Sequence, residues 1–257
     1  MMKMFEFFFR LIKKLSNPSL LLINHIMRRK FYVKDSNNKR IFSVRMMGGN
    51  THGRAKTFLY KEPNTTEWIK KFHPNSTFFD IGANIGIYSL YAASLKHKVI
   101  AFEPESLNFA ALNINIYDNK FNEIMKSYPI SISKKSEVSN LNLLQFRFGN
   151  AQAVFQKESK SKSVFNQGSM SISLDGFIKQ TNIIPDYVKI DVPALECNVI
   201  EGMKEILNKK IIKSILIEYD ELTDKHKIMK NVLEENNYIK MKLEHKSPHF
   251  IFNLNQS

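Results

Sequence analysis

Thr77-Phe-Phe-Asp-Ile-Gly-Ala-Asn-Ile-Gly86, followed by Val99-Ile-Ala-Phe-Glu103-Pro104, decides the fold. Residues 77–81 read as an apolar strand whose tip carries Asp80. Gly82 and Gly86 bracket a tight loop around Asn84. Ile87, Leu90, Tyr91 and Leu95 then follow at helical spacing. Val99 to Phe102 is a second short strand, and it ends on Glu103. Strand, glycine loop, helix, strand and acid make a βαβ unit, which binds a nucleotide-like ligand at the carboxyl ends of its strands. The glycines are expected to let the backbone approach that ligand where a Cβ would clash. An acid about 20 residues past the loop accepts hydrogen bonds from ribose hydroxyls, the role expected for Glu103.

The dinucleotide fingerprint is G-x-G-x-x-G, and Asp80-x-Gly82-x-Asn84-x-Gly86 does not meet it, which disfavours an NAD enzyme. A carboxylate at the strand tip suits a pyrophosphate poorly. It suits the cationic, amine-bearing tail of S-adenosylmethionine far better. The stretches FFDIGANIGIYSL, VIAFEPESLNFAALNINI, SISLDGFI and DYVKIDV resemble the FkbM-type family of S-adenosylmethionine-dependent methyltransferases, over residues 60 to 220. The resemblance implies a Rossmann-like class I methyltransferase fold: α/β, with a central, mostly parallel seven-stranded sheet flanked by helices. It implies S-adenosylmethionine as cofactor, with Asp80, Gly82, Asn84, Gly86 and Glu103 around it. Ser131, at the tip of a strand from Lys126 to Ser133, is placed near the adenine by position in this fold class.

At 257 residues and 43% apolar, the chain can build one α/β domain with a full core. Cys197 is the single cysteine, so no internal disulfide forms, which fits a reducing, cytoplasmic setting. Residues 1–61 carry fourteen Lys or Arg against only Glu6 and Asp35, whereas the remainder is close to neutral. The division expected is therefore a basic N-terminal extension, 1–61, and a methyltransferase domain, 62–257. Residues 1–15 read as an amphipathic helix with Phe5, Phe8, Phe9, Ile12 and Leu15 on one face. Leu20 to Met27 is a second apolar stretch, and both fall short of the ~20 residues needed to span a bilayer. No small-residue cleavage site follows, which argues against a signal peptide. Either residues 1–30 lie peripherally on the anionic inner face of a membrane, or their phenylalanines pack on the domain. Nucleic-acid binding is disfavoured, because the basic residues are scattered among Phe, Leu and Ile without a binding motif.

Before the fingerprint, residues 31–33, 41–45 and 58–60 read as short strands. His52 and Arg54, after the Gly48-Gly49-Asn50 loop, either line a polar substrate pocket or are surface loop residues, and the second is the expectation. Residues 65–72 read as a short helix. After Glu103, Ser106 is expected to cap a helix running through Asp118. Residues 138–156 alternate as an inserted hairpin, and 157–169 read as a polar loop. Asp175 is expected to cap the helix that follows 171–175.

Tyr187 to Asp191 should lie beside the first strand, where the sheet order reverses and ligands bind. In the family this motif continues with an acid, a glycine and then a glutamate. Here it reads Asp191-Val-Pro193-Ala194-Leu195-Glu196, so Pro193 and Ala194 replace the acid and the glycine. Asp191 either takes the acceptor's proton as catalytic base or caps the next helix. Glu196 and Glu218, the latter ending the strand 211–218, are the candidates for substrate binding. No HExxH or Cys/His cluster is present, so no zinc is expected; Mg²⁺ through Asp191 is the metal left open, but the motif places no second acid beside it, and no metal site is assigned. The function implied is O-methylation of a saccharide or glycolipid hydroxyl, as in polysaccharide or secondary-metabolite biosynthesis. The alternative is an impaired cofactor-binding or scaffold protein of the same fold.

Overall fold

Residues 29–151, 153–156, 163–218, 223–245 and 248–255 are described by a computed structural model. The two apolar stretches before residue 28 and the lysine-rich segment 157–162 lie outside these. An antiparallel hairpin, β1 (Lys30–Lys34) and β2 (Arg40–Arg45), comes first and turns at Asn38. Helices α1 (Thr51–Lys61) and α2 (Pro63–Lys70) follow. The fingerprint then forms β3 (Thr77–Ile81), α3 (Ile87–Ser94) and β4 (Lys98–Phe102), continued by α4 (Ser106–Asn119) and β5 (Met125–Tyr128). Four short strands come next: β6 (Ser131–Ile132), β7 (Glu137–Leu143), β8 (Ala153–Gln156) and β9 (Phe165–Ile172). The chain returns through α5 (Leu174–Thr181), β10 (Tyr187–Ile190), α6 (Glu196–Glu201), α7 (Lys204–Asn208), β11 (Ser214–Glu218) and α8 (Asp224–Glu235). It closes with β12 (Tyr238–Lys240) and β13 (His249–Leu254).

Seven strands form the central sheet in the order β12-β13-β11-β10-β3-β4-β5. β11, β10, β3, β4 and β5 run parallel, and β13 is antiparallel to both of its neighbours. The chain starts at β3, proceeds outward through β4 and β5, then crosses to β10 on the other side of β3. The carboxyl ends of β3 and β10 are therefore the switch point. The pleat sends alternate side chains to opposite faces. Phe78 and Tyr187 go to the core under α2 and α3, while Phe79, Ile81, Val188 and Ile190 go to the core under α5 to α8. Val33, Phe42, Val44 and Phe58, from the hairpin and α1, pack in the same core as Phe78 and Leu90. Among the described residues no helix is long and apolar enough to cross a membrane.

The structure differs from the sequence reading at several elements. Residues 58–60 are helical, not a strand: Thr51, Ala55 and Phe58 recur at helical spacing on the buried face of α1. The strand expected from Lys126 to Ser133 ends at Tyr128, because Pro129 cannot donate to a ladder. Ser131 and Ile132 instead pair with β9, in a second sheet ordered β6-β9-β7-β8. The inserted hairpin is thus part of a four-stranded sheet, and residues 165–169 of the expected loop form its third member. Glu105, not Ser106, caps α4: its carboxylate accepts from the backbone N–H groups of Leu107 and Asn108 at 2.9 and 2.8 Å. Ser173, not Asp175, caps α5, and Asp175 reaches across to accept from Glu205 and Ile206 at the start of α7.

Candidate active site

A cavity of about 790 Å³ runs along the carboxyl ends of β10, β3 and β4, under the inserted sheet. Its volume falls in the ~300–1,000 Å³ range of small-molecule sites. Gly82, Asn84, Glu103, Ser131, Asp191, Glu196 and Glu218 all line it. Asp80 and Gly86 do not.

Asp80 is displaced by strand parity. The pleat puts Asp80 on the same face as Phe78, which α3 covers, while Phe79 and Ile81 take the other face. It is 1% exposed, and one carboxylate oxygen accepts from the Ser89 hydroxyl at 2.6 Å. Its register partner on β10 is Lys189, whose ammonium is 3.8 Å from the other oxygen. The expectation that Asp80 faces the ligand is therefore corrected: it stands behind the wall and meets the cavity only through Lys189.

Both glycines of the loop have left-handed φ values, +83° at Gly82 and +88° at Gly86. Their reason lies in the protein rather than the ligand. A Cβ on Gly82 would sit 2.0 Å from the Asp191 carbonyl oxygen, and one on Gly86 would sit 2.4 Å from a Leu112 methyl. The first contact lets β3 and β10 close together at their tips. The second seats α4 against the start of α3.

Glu103 occupies the expected place. One carboxylate oxygen accepts from the Asn84 N–H at 2.8 Å and the other from the Glu105 N–H at 2.9 Å. Each oxygen retains a lone pair for a ligand hydroxyl. Burial pushes its carboxyl up to about 7, against the pull of these two N–H groups. Ser131 lies on the same wall beside Ile130, Ile132 and Phe102. Its hydroxyl is buried and has no partner among the described residues. An unsatisfied hydroxyl on an apolar slot, within one cavity with a carboxylate holding free lone pairs, fits a flat base joined to a ribose.

Sequence reasoning missed the clamp that holds the inserted sheet over this cavity. Asn84 and Asn108 both donate side-chain N–H bonds to the Asn150 carbonyl, at 2.7 and 2.8 Å. Asn108 also accepts from the Gly149 N–H, and Arg54 donates to the Gly149 carbonyl at 2.8 Å. Arg54 is thus a helical residue on the cavity wall and not a surface loop residue. The Asn84 signal was visible in the motif. The Asn108 and Arg54 partners were not, because they meet a loop far away in sequence. Leu141, Ala153 and Phe155 of the insert supply an apolar wall.

At the other end, Asp191 pairs with the Lys189 ammonium at 2.7 Å, and His249 Nε2 is 3.8 Å from the same oxygen. Burial alone would raise the Asp191 carboxyl, but Lys189 and His249 hold it far below the usual carboxylate range. The structure does not use Asp191 as a helix cap: α6 starts at Glu196 with Leu195 in the capping position. Glu196 is 4% exposed and lies 3.8 Å from His226 Nε2. Burial, then repulsion from Glu218 and Asp191, pushes its carboxyl up to about 7. Ala194, where the family has glycine, has φ +60°. The left-handed turn is kept at a cost that alanine bears and glycine does not. Ala194→Gly is expected to stabilise the fold by about 0.5–1 kcal/mol once the entropy of the added glycine is subtracted. Urea unfolding of the two proteins measures this, and an unchanged or lower stability would show that the turn is unstrained.

Known proteins can be set beside this geometry. The family model described as the methyltransferase FkbM domain matches residues 80–240. No protein of curated function matches the chain. Among solved structures, the methyltransferase FkbM from Methylobacillus flagellatus KT is similar at 14% identity and a TM-score of 0.48, over 79% of this chain and 53% of that one. This chain therefore spans about half of that protein's length. Precorrin-6y C5,15-methyltransferase from Geobacter metallireducens is similar at 13% identity and a TM-score of 0.42, over 73% of this chain and 85% of that one. The assignment rests on the family model, which covers more than half of the chain, and not on these distant structures.

Proposed function

Because the chain belongs to the FkbM family of S-adenosylmethionine-dependent methyltransferases, we propose that it methylates a hydroxyl oxygen of a saccharide or glycolipid. The single observation carrying this reading is one cavity with Glu103 and Ser131 at one end and Asp191, Glu196 and Glu218 at the other. S-Adenosylmethionine supplies, when bound, an electrophilic methyl group on a sulfonium. Glu103 would accept from its ribose hydroxyls, and Ser131 would donate to the edge of its adenine. The acid-rich far end would hold a hydroxylated acceptor in line, and alignment of this kind supplies ~7–11 kcal/mol of barrier lowering. Positioned proton removal adds roughly 10²–10⁴-fold. Asp191, neutralised by Lys189, is poorly matched to that task at neutral pH. Glu196, with its carboxyl pushed up to about 7, is better matched. The test is transfer of labelled methyl groups to a panel of sugar nucleotides and oligosaccharides. Transfer to none of them, while simple amines are methylated, would sink the hydroxyl assignment.

A pH dependence follows from Glu103. Its ionised form is the acceptor for ribose hydroxyls, and that form populates as pH rises through about 7. S-Adenosylhomocysteine affinity is therefore expected to fall from pH 8 to pH 6, by up to about tenfold per unit below the midpoint. Glu103→Gln should flatten the profile. Calorimetry across that range checks both; a flat profile for the parent protein refutes the assigned role. A second reading, cofactor binding without turnover, draws on the replacement of the family's acid and glycine by Pro193 and Ala194. Binding of S-adenosylmethionine with no transfer to any acceptor would favour it.

A further inference from the structure

We propose that Asp191, Glu218 and His249 form a binding site for a divalent cation of the Mg²⁺ or Mn²⁺ type at the acceptor end of the cavity. The inference rests on the transfer reading and adds a ligand to it. Asp191 follows the last residue of β10, Glu218 ends β11 and His249 opens β13, and these three strands are neighbours in the sheet. Glu218 and His249 are direct partners across the antiparallel β11–β13 ladder. One ligand atom from each of the three residues lies within 4.8 Å of the other two. All three line the cavity.

The donor set is two carboxylates and one imidazole. Oxygen donors with a single nitrogen suit a hard divalent ion, and a thiolate-seeking metal would look elsewhere. The charge around the trio points the same way. Glu196 lines the wall nearby, and its carboxyl feels both Glu218 and Asp191 as repulsive neighbours. Among the described residues the lysine within ion-pair reach of this group is Lys189, which engages one oxygen of Asp191. Glu218 has no lysine or arginine partner among them. Clustered carboxylates in a cavity are stable when paired or when they coordinate a metal. Three protein ligands leave about three of six positions open, enough for two neighbouring acceptor oxygens such as a sugar diol. The Lys189 ammonium repels a second cation, so the site should be weak, with a dissociation constant on the order of 10⁻⁵–10⁻³ M.

The experiment is titration of the metal-stripped full chain with Mn²⁺, followed by the electron paramagnetic resonance signal of the free ion. One Mn²⁺ per chain is expected, displaced by Mg²⁺. Glu218→Gln and His249→Ala should each weaken it by at least about tenfold. Should His249→Ala not fold, by circular dichroism, the isosteric Glu218→Gln carries the comparison alone. No bound Mn²⁺ at ~1 mM, or binding that survives Glu218→Gln, overturns the proposal and leaves His249 only as a neighbour of Asp191. S-Adenosylhomocysteine binding, measured by calorimetry on the same samples, separates the two readings. Its loss with Mn²⁺ binding intact would strike the transfer reading and not the cation site.

Discussion

Glu103→Ala is expected to weaken S-adenosylhomocysteine binding by about 3 kcal/mol, on the order of a hundredfold. Two losses combine. The first is direct: a hydrogen bond to a charged acceptor is worth ~1.5–3 kcal/mol, and a ribose offers two hydroxyls to one carboxylate. The second is indirect. The carboxylate holds the Asn84 N–H at 2.8 Å, and Asn84 in turn holds the Asn150 carbonyl of the inserted sheet at 2.7 Å. Removing the carboxylate loosens the glycine loop, while Asn108 and Arg54 still hold the sheet above the cavity. Glu103→Gln retains an oxygen acceptor and should fall between the two proteins. Calorimetric titration of all three proteins is the measurement. A Glu103→Ala affinity within threefold of the parent would end the view that this cavity holds a ribose.

Lys189→Met should destabilise the fold by about 3 kcal/mol at pH 7. Breaking a buried ion pair by removing one partner costs ~3–5 kcal/mol, because the remaining charge is left uncompensated. The lower figure applies because the Asp191 side chain is 33% exposed and water screens part of its charge. Lys189 itself is 1% exposed, and it lies 2.7 Å from Asp191 and 3.8 Å from Asp80. Burial would lower its ammonium, but Asp191 and Asp80 together raise it, so it stays charged. Of the two acids, Asp191 holds the negative charge, since burial raises the Asp80 carboxyl and Lys189 is nearer to Asp191. The pH signature follows from the depressed carboxyl of Asp191. A depressed acid contributes stability above its ordinary value, and that stability is lost as pH falls toward the folded value. The gap between Lys189→Met and the parent should therefore shrink as pH drops below about 4. Adding Asp191→Asn to Lys189→Met should recover part of the loss, because it removes the charge that Lys189 had balanced. Urea unfolding at pH 7 and at about pH 3 tests the set, and a loss under about 1 kcal/mol at pH 7 would show the pair to be dispensable.

The βαβ unit, the parallel strands around it and the place of Glu103 were all legible along the chain. Each depends on local periodicity, on glycine and on an acid at a fixed distance from a loop. The same is true of the helix starting near residue 106 and of strands 187–190 and 214–218. The misread helix at 58–60, the strand stopped by Pro129 and the two caps had local causes, whereas Asp80 and the inserted sheet did not. What a side chain meets depends on what covers its face, and that is not a local property. Asp80 shares the face of Phe78, and α3 covering that face turns it from the cavity toward Ser89 and Lys189.

From the sequence alone came the family, the cofactor class and the glycine loop, because backbone geometry at a tight turn leaves its mark on residue type. Only the folded chain brought Glu218 and His249 to Asp191, and Arg54 and Asn108 to the loop at Gly149 and Asn150. Those residues are separated by tens of positions and join only when strand order and pleat are set. Long-range proximity is decided by sheet topology and core packing, which no short stretch of sequence carries.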